Sequence, residues 1–208
     1  MKKYIILAAA IFAFQFSQAQ LLSYGLRAGV SSSGLQVKES FAVTGGAVNY
    51  KDGDKVLGWH VGLLARVKLS SFYVQPELLF VNSGGNIIVS GTGYALPEKG
   101  TIKFSNLSIP IMAGLKLGKI FRINAGPSFD INLSRKISDN LKDLNQKYNS
   151  ATIGYQAGIG FDISKLAIDL KYEGSLSKLG NQVTIPGAGT FNTDMRSSQL
   201  IASVGILF

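Results

Sequence analysis

The feature that most constrains this chain is a two-residue alternation of apolar and polar side chains, which is clearest in its last ten residues, 199–208. Leu200, Ala202, Val204, Ile206 and Phe208 share one parity. A two-residue period places successive side chains on opposite faces of a β-strand. The chain therefore ends on an aromatic member of an apolar strand face.

Seven further segments of the chain alternate in the same way, and charged side chains follow the alternation. The segments lie at about 22–32, 57–68, 72–82, 104–117, 120–133, 151–163 and 165–176. In their central parts every Asp, Glu, Lys and Arg falls on the polar parity. A Lys or Arg on a lipid-facing side would cost about 2–4 kcal/mol at the bilayer midplane. The pattern predicts an all-β, eight-stranded, antiparallel up-and-down transmembrane β-barrel.

The gaps between these segments alternate in length. The turns at 69–71, 118–119 and Ser164 are tight, whereas four gaps are long and rich in Gly, Asn, Ser and Lys: 33–56, 83–103, 134–150 and 177–194. Short periplasmic turns and long extracellular loops are typical of transmembrane barrels. Aromatic side chains of the apolar face also form two belts, as membrane interfaces require. The periplasmic belt contains Tyr24, Phe72, Phe121, Phe161 and Phe208, and the other contains Trp59, Phe80, Phe129, Tyr155 and Tyr172.

The N-terminal residues have the composition of an export signal. Lys2 and Lys3 precede an apolar run over 4–16, and Ser17-Gln18-Ala19 offers small residues for cleavage. We predict a cleaved signal peptide over 1–19 and a barrel domain over 20–208, located in the cell outer membrane. The alternative is a soluble barrel of the lipocalin type, which would carry its apolar face inside. The export signal and the terminal Phe208 favour the membrane barrel.

Composition narrows the classes of partner. With no cysteine and one histidine, the chain cannot build a transition-metal site, so we expect no metal and no cofactor. A net charge of +9 could indicate nucleic-acid binding, but the export signal argues against it. Anionic lipopolysaccharide and other outer-membrane lipids are the expected partners, together with the barrel-assembly machinery. We expect a monomer whose long loops could bind a surface ligand.

Two local features do not fit the strand pattern. Pro76, Pro110 and Pro127 lie inside predicted strands, where each removes a ladder donor, so we expect bulges or kinks there. The third long gap carries apolar residues at helical spacing from Ile137 to Tyr148, which indicates a short surface helix.

Four stretches carry a resemblance to a known family. They are YVQPELLF at 73–80, LSIPIMAGLK at 107–116, AGP at 125–127 and DLKYEGSLSKL at 169–179. In this order they make the chain similar to outer-membrane β-barrel proteins of the porin family, related in architecture to the OmpA-like membrane domain. The resemblance implies an outer-membrane location, a porin-like role in some members and in-strand prolines as family features. It carries over no catalytic residue.

The polar parity defines the candidate functional residues. Eight strands enclose an interior that side chains can fill, whereas open aqueous channels need about 16–18 strands. We therefore predict a lumen network: Arg27, Arg66, Glu77, Arg122, Asp130, Asp169, Lys171 and Glu173. Arg66 with Glu77 is the expected pair, because the tight turn at 70–71 brings their strands together. A packed lumen indicates a structural or surface-interaction role, and a narrow porin-like channel for small solutes or ions is the alternative.

An enzymatic role would need a marked nucleophile and base. The single histidine, His60, lies on the inward parity, and no Gly-x-Ser-x-Gly motif marks a serine. The sequence therefore predicts a non-enzymatic protein. Phe208 is expected to anchor the periplasmic belt, to close the barrel against the first strand, and to act as an assembly signal.

Overall fold

The computed structural model describes residues 21–36, 39–43, 46–91, 98–137, 145–185 and 189–208. The predicted signal peptide, 1–19, lies outside these ranges and stays a prediction. In the described ranges no helix is long and apolar enough to cross a membrane.

Eight long strands form a closed antiparallel ring. In chain order they are β1 (Leu22–Gln36), β3 (Gly46–Leu69), β4 (Phe72–Gly91), β5 (Glu98–Leu117), β6 (Phe121–Ile137), β8 (Ala151–Ile163), β9 (Leu166–Ser175) and β11 (Gly189–Leu207). Each pairs with the next, and β1 also pairs with β11. The predicted eight-stranded up-and-down barrel is confirmed, and so is its closure between the first and last strands.

The long connections are largely β-structure, which the sequence did not predict. β1, β3, β4, β5 and β11 run well past the predicted ends, and three short strands pair with them: β2 (Glu39–Val43), β7 (Asn145–Tyr148) and β10 (Gly180–Ile185). β2 pairs with β3, whereas β10 pairs with both β11 and β7. A strand already in register can extend through polar residues, because backbone pairing does not require an apolar face.

Apolar side chains face outward and polar side chains face inward. Along β3, Leu63 is 55% exposed, whereas the neighbouring Leu64 and Arg66 are buried. The buried set includes three arginines, two glutamates and a lysine, and the exposed set contains most of the large apolar residues. This polarity is the reverse of a soluble ligand-binding barrel, so the lipocalin-type alternative is wrong.

Exposed aromatic side chains meet in pairs near both ends of the apolar band. At the turn end, Tyr24 contacts Phe208 with ring centroids 6.2 Å apart, and Phe121 contacts Phe161 at 5.4 Å. At the opposite end Trp59 contacts Phe80 at 5.7 Å, and the rings of Tyr155 and Tyr172 lie 6.2 Å apart. These contacts form the two predicted belts, and an apolar band between aromatic belts suits a lipid bilayer.

The bulges expected at Pro76, Pro110 and Pro127 are absent, whereas the kinks stay a prediction. The β4–β5 ladder also skips the pairs between Pro76 and Leu79, where Pro110 lies on the opposite strand. Pairs on either side of each proline keep one register. The register shifts lie elsewhere, between Asp52 and Lys55, Lys55 and Trp59, Ser105 and Asn106, and Gly180 and Gln182. A proline within a strand removes one donor but inserts no residue, so the register can continue past it.

The predicted surface helix is wrong at both of its ends. Ile137 ends β6 and Tyr148 ends the short strand β7. Residues 138–144, the middle of that helix, lie outside the described ranges.

A charge placed at mid-depth on the exterior tests the bilayer-facing assignment. Leu63 and Leu69 are similarly exposed, at 55% and 57%, but Leu69 lies beside a tight turn at the end of β3. We expect Leu63→Arg to lower the free energy of unfolding by about 2–4 kcal/mol and Leu69→Arg by about 0–1 kcal/mol. Urea titration in phospholipid vesicles measures both, and equal costs would contradict the assignment.

The last residue closes the ring and contacts the belt. The Phe208 amide donates to the Tyr24 carbonyl at 2.8 Å, and the two rings touch. We expect deletion of Phe208 to reduce barrel insertion severalfold in cells. Heat-modifiable gel migration measures folded yield, and Tyr24→Leu, which keeps the terminal residue, is the control. Normal insertion of the deletion variant would contradict an assembly role.

Candidate functional site

The eight predicted lumen residues all project inside the ring. Seven of them are buried, and Asp130 is partly exposed. They lie at different depths and form a central cluster, a periplasmic layer and an upper group near the extracellular end.

The central cluster joins three parts of the ring through buried ion pairs. Arg27 on β1 donates to Glu77 on β4 at 2.9 Å and to Asp169 on β9 at 2.5 Å. Lys171, also on β9, donates to the same Glu77 oxygen at 3.0 Å. Because β1 neighbours neither β4 nor β9 in the ring, these contacts cross the lumen. Two cations facing two carboxylates also balance the buried charge.

The periplasmic layer is organised around Asp162. Arg66 donates to both Asp162 oxygens at 3.0 Å, across the barrel from β3 to β8. Arg122 lies 2.8 Å from the same carboxylate and 3.1 Å from Asp169, so it links this layer to the central cluster. Tyr73 fills the space between the two arginines, whose guanidinium carbons lie 4.9 and 5.6 Å from its ring centre.

The predicted pair between Arg66 and Glu77 is wrong. The ladder sets Leu64 opposite Glu77 and Val67 opposite Val74, so Arg66 is level with Gln75. Arg66 donates to Gln75 at 2.6 Å, and Gln75 donates to Glu77 at 2.5 Å. The Gln75 amide therefore bridges Arg66 and Glu77. The ion-pair partners of these two charged residues lie on strands other than β3 and β4.

Glycines on the inward parity make room for the large side chains. A Cβ added at Gly114 would overlap the Tyr73 ring. One added at Gly160 would lie 2.5 Å from an Asp169 oxygen and 2.7 Å from an Arg122 nitrogen. The Gly-rich polar face is therefore a requirement of the lumen network.

The upper lumen contains two carboxylates, Asp130 and Glu173, that have no direct cationic partner at hydrogen-bond distance among the described residues. Glu173 accepts from Gln156 at 2.6 Å, and the Gln156 carbonyl lies 3.4 Å from the Lys171 ammonium. Asp130 and Glu173 line a cavity of about 20 Å³. A second cavity of about 10 Å³ touches Arg27 and Glu77. Each has room for about one or two waters.

An apolar cap lies above the polar lumen, inside the extracellular extension of the barrel. It consists of six buried side chains: Leu35, Ile87, Ile102, Phe104, Leu179 and Met195. Below it β1 and β4 meet directly, because the Ser33 hydroxyl bonds to both the Gly84 carbonyl and the Gly84 amide. Buried apolar side chains therefore fill much of the extracellular end of the lumen.

The structure offers little for the chemistry of a catalytic or metal site. His60 is buried over Gly29 and faces the smaller cavity. Within the described ranges no hydrogen bond joins His60 to a serine or a carboxylate, and no three His, Asp or Glu side chains cluster to hold a metal. The described arrangement positions charges against one another.

Three residues of this site were missed by sequence reasoning. Asp162, Gln75 and Tyr73 all lie on the inward parity, but none of them belongs to the predicted network. Their shared signal is position, because each lies within a few residues of a periplasmic turn. Gln75 is level with Arg66, whereas Tyr73 lies two residues nearer the turn than the level of Arg66, and Asp162 two residues nearer the turn than the level of Arg122.

Comparison with known proteins gives a consistent result. The sequence profile described as outer membrane protein beta-barrel domain matches residues 16–181. The chain is similar to the structure of the outer membrane protein OprG from Pseudomonas aeruginosa, with a TM-score of 0.53 and 12% identity, over 89% of this chain and 95% of that one. It is also similar to Neisserial surface protein A, with a TM-score of 0.51 and 11% identity, over 89% and 97%. No curated sequence matches it significantly.

Removing one charge from the central cluster tests how the network holds together. Glu77→Gln keeps the shape but leaves Arg27 and Lys171 without this buried counter-charge, so we expect a loss of about 3–5 kcal/mol in the free energy of unfolding. Lys99→Gln breaks an exposed pair with Asp54 and should change little. Urea unfolding of both refolded variants makes the comparison, and equal effects would show that the buried pairs are not structural.

Proposed function

The chain belongs to the family of outer membrane protein beta-barrel domains, and from that premise we propose that it is a closed, non-conducting scaffold with a structural or surface-interaction role. Its location is the cell outer membrane, so its two ends face the periplasm and the exterior. The observation that carries the proposal is the buried ion network that crosses the lumen from β1 to β4 and β9.

The network supports a closed lumen because its ion pairs cross the interior at two depths. Arg66 and Asp162 connect opposite walls at the periplasmic end, and Arg27 connects three walls at mid-depth. Moving any of these side chains aside would separate buried charges, which costs several kcal/mol for each broken pair. The ion pairs therefore block solute passage and stiffen the barrel.

The apolar cap supports the same proposal at the other end. Ile87, Ile102 and Met195 are at most 2% exposed. A hydrated ion would have to lose water to pass such a section. A barrel closed in this way would contact its partners through its outer surfaces and through the rim of its extended hairpins.

The proposal includes the absence of enzymatic activity. It rests on the isolation of His60 and on the use of the buried carboxylates as ion-pair and hydrogen-bond partners.

A narrow conducting path is the second candidate, and one observation favours it. Among the described residues that line the smaller cavity, four buried polar atoms have no hydrogen-bond partner in the described part of the chain: Arg27 Nε, Glu77 Oε2, Gln199 Oε1 and Ser203 Oγ. Water could satisfy them. A file of waters joining both cavities would be a route for small ions.

Planar-bilayer recording separates the two candidates. We expect the refolded protein to give no lasting open-state steps, because the ion pairs persist in the absence of a ligand. Phe104→Ser, which opens the apolar cap, should also remain silent, since the network below it is intact. Heat-modifiable migration confirms folding of each sample. Stable steps from the unaltered protein, with ion preference changed by Glu77→Gln, would replace the scaffold by the channel.

A further inference from the structure

Two lysines face each other directly on the outside of the barrel. Lys103 on β5 is the register partner of Lys136 on β6, and both side chains are exposed. Residues directly opposite on an antiparallel pair project from the same face. Ile102 and Phe104, on either side of Lys103, are buried inside, so the lysine pair points outward.

Like charges in direct cross-strand register destabilise a sheet, and nothing in the described part of the chain offsets this pair. Three other basic side chains of the extracellular half have carboxylate partners. Lys99 contacts Asp54, and Asp194 lies 3.0 Å from Arg196 and 3.4 Å from Lys178. Lys103 and Lys136 have no such contact within the described ranges, so an external anion is the natural complement.

The side chains below the lysine pair are layered. Leu107 opposite Ile131 belongs to the apolar band, which the exposed Leu133 continues in a bulge of β6, and Ser105 opposite Ser134 lies just past that bulge. Lys103 lies four residue steps along the strand from Leu107, which is about 13 Å. The exterior therefore changes from apolar, to hydroxyl-bearing, to cationic in the direction that leaves the membrane.

We propose that the lysine pair Lys103–Lys136 binds the phosphate groups of lipid A in the outer leaflet. Lipid A has the matching layers: acyl chains, then a sugar backbone with amides and hydroxyls, then phosphates. The acyl chains lie against Leu107 and Ile131, the sugar backbone meets the serine pair, and a phosphate accepts charge-assisted hydrogen bonds from both ammonium groups.

The neighbouring strand leaves room for the sugar. Lys103 is opposite Gly84 on its β4 side, and this glycine carries no side chain to cover the lysine. A free phosphate would use only the cationic layer, whereas the continuous stack beneath it favours a lipid-anchored phosphate.

The test measures binding of bisphosphorylated lipid A to the refolded protein in detergent by native mass spectrometry. Lys103→Gln with Lys136→Gln removes the pair. Lys119→Gln with Lys165→Gln removes two exposed lysines from the periplasmic turns and is the charge-matched control. Lys103→Arg with Lys136→Arg keeps both charges. Heat-modifiable migration checks that every variant is folded.

We expect the glutamine pair variant to bind lipid A about tenfold more weakly or worse, and the arginine variant and the periplasmic control to bind like the unaltered protein. Dephosphorylated lipid A should bind the unaltered protein as weakly as lipid A binds the glutamine pair variant. Unchanged binding by that variant would overturn the site. Equal binding of dephosphorylated lipid A, or of phosphatidylglycerol, would overturn the assignment to lipid A phosphates.

Discussion

The whole structure depends on pairing β1 with β11. In a bilayer an unpaired backbone N–H or C=O costs several kcal/mol, so a sheet with open edges cannot span it. The ladder from Gly25 opposite Leu207 to Gln36 opposite Arg196 removes both edges. At its lower end, the Phe208 amide and the Leu207 amide bond to the Tyr24 and Lys165 carbonyls, so the ladder is satisfied to the last residue. Once the ring is closed with eight strands, its width is set, and the side chains must fit that width.

The fixed width explains why long cations and glycines occur together on the inward face. An arginine can reach from one wall to the opposite one, as Arg66 does to Asp162, but only where the wall behind it lacks bulk. Gly160 provides this space beside Arg122, and Gly114 provides it beneath Tyr73. A lumen filled by small apolar residues could not satisfy the same buried charges. A lumen with larger residues in place of these glycines would push the ion pairs apart.

Features of this structure that depend on side-chain periodicity can be predicted from the sequence. Side-chain contacts between strands that are distant in sequence cannot. The alternation around Leu63 and Leu64 suffices for the strand, for its lipid-facing side and for the belts. It does not identify the partner of Glu77, because Arg27 and Lys171 come from strands that are distant in sequence. The two-residue turn at Ser70 sets Leu69 opposite Phe72 and therefore Arg66 beside Gln75, so this part of the register follows from the sequence. The extended hairpins cannot be predicted from periodicity, because their backbones pair through polar residues that show no alternation of apolar and polar side chains.

The division of the barrel along its axis determines where recognition can occur. Charged pairs hold the periplasmic and central lumen, and the cap around Phe104 fills the extracellular extension, so both ends of the interior are used for packing. The strands that surround the cap also continue beyond the upper aromatic belt, which turns the predicted loops into stiff hairpins. A partner would therefore meet side chains fixed in register, as Lys103 and Lys136 are. Binding to such a surface orders few groups, and the smaller entropic cost favours ligands that match its spacing.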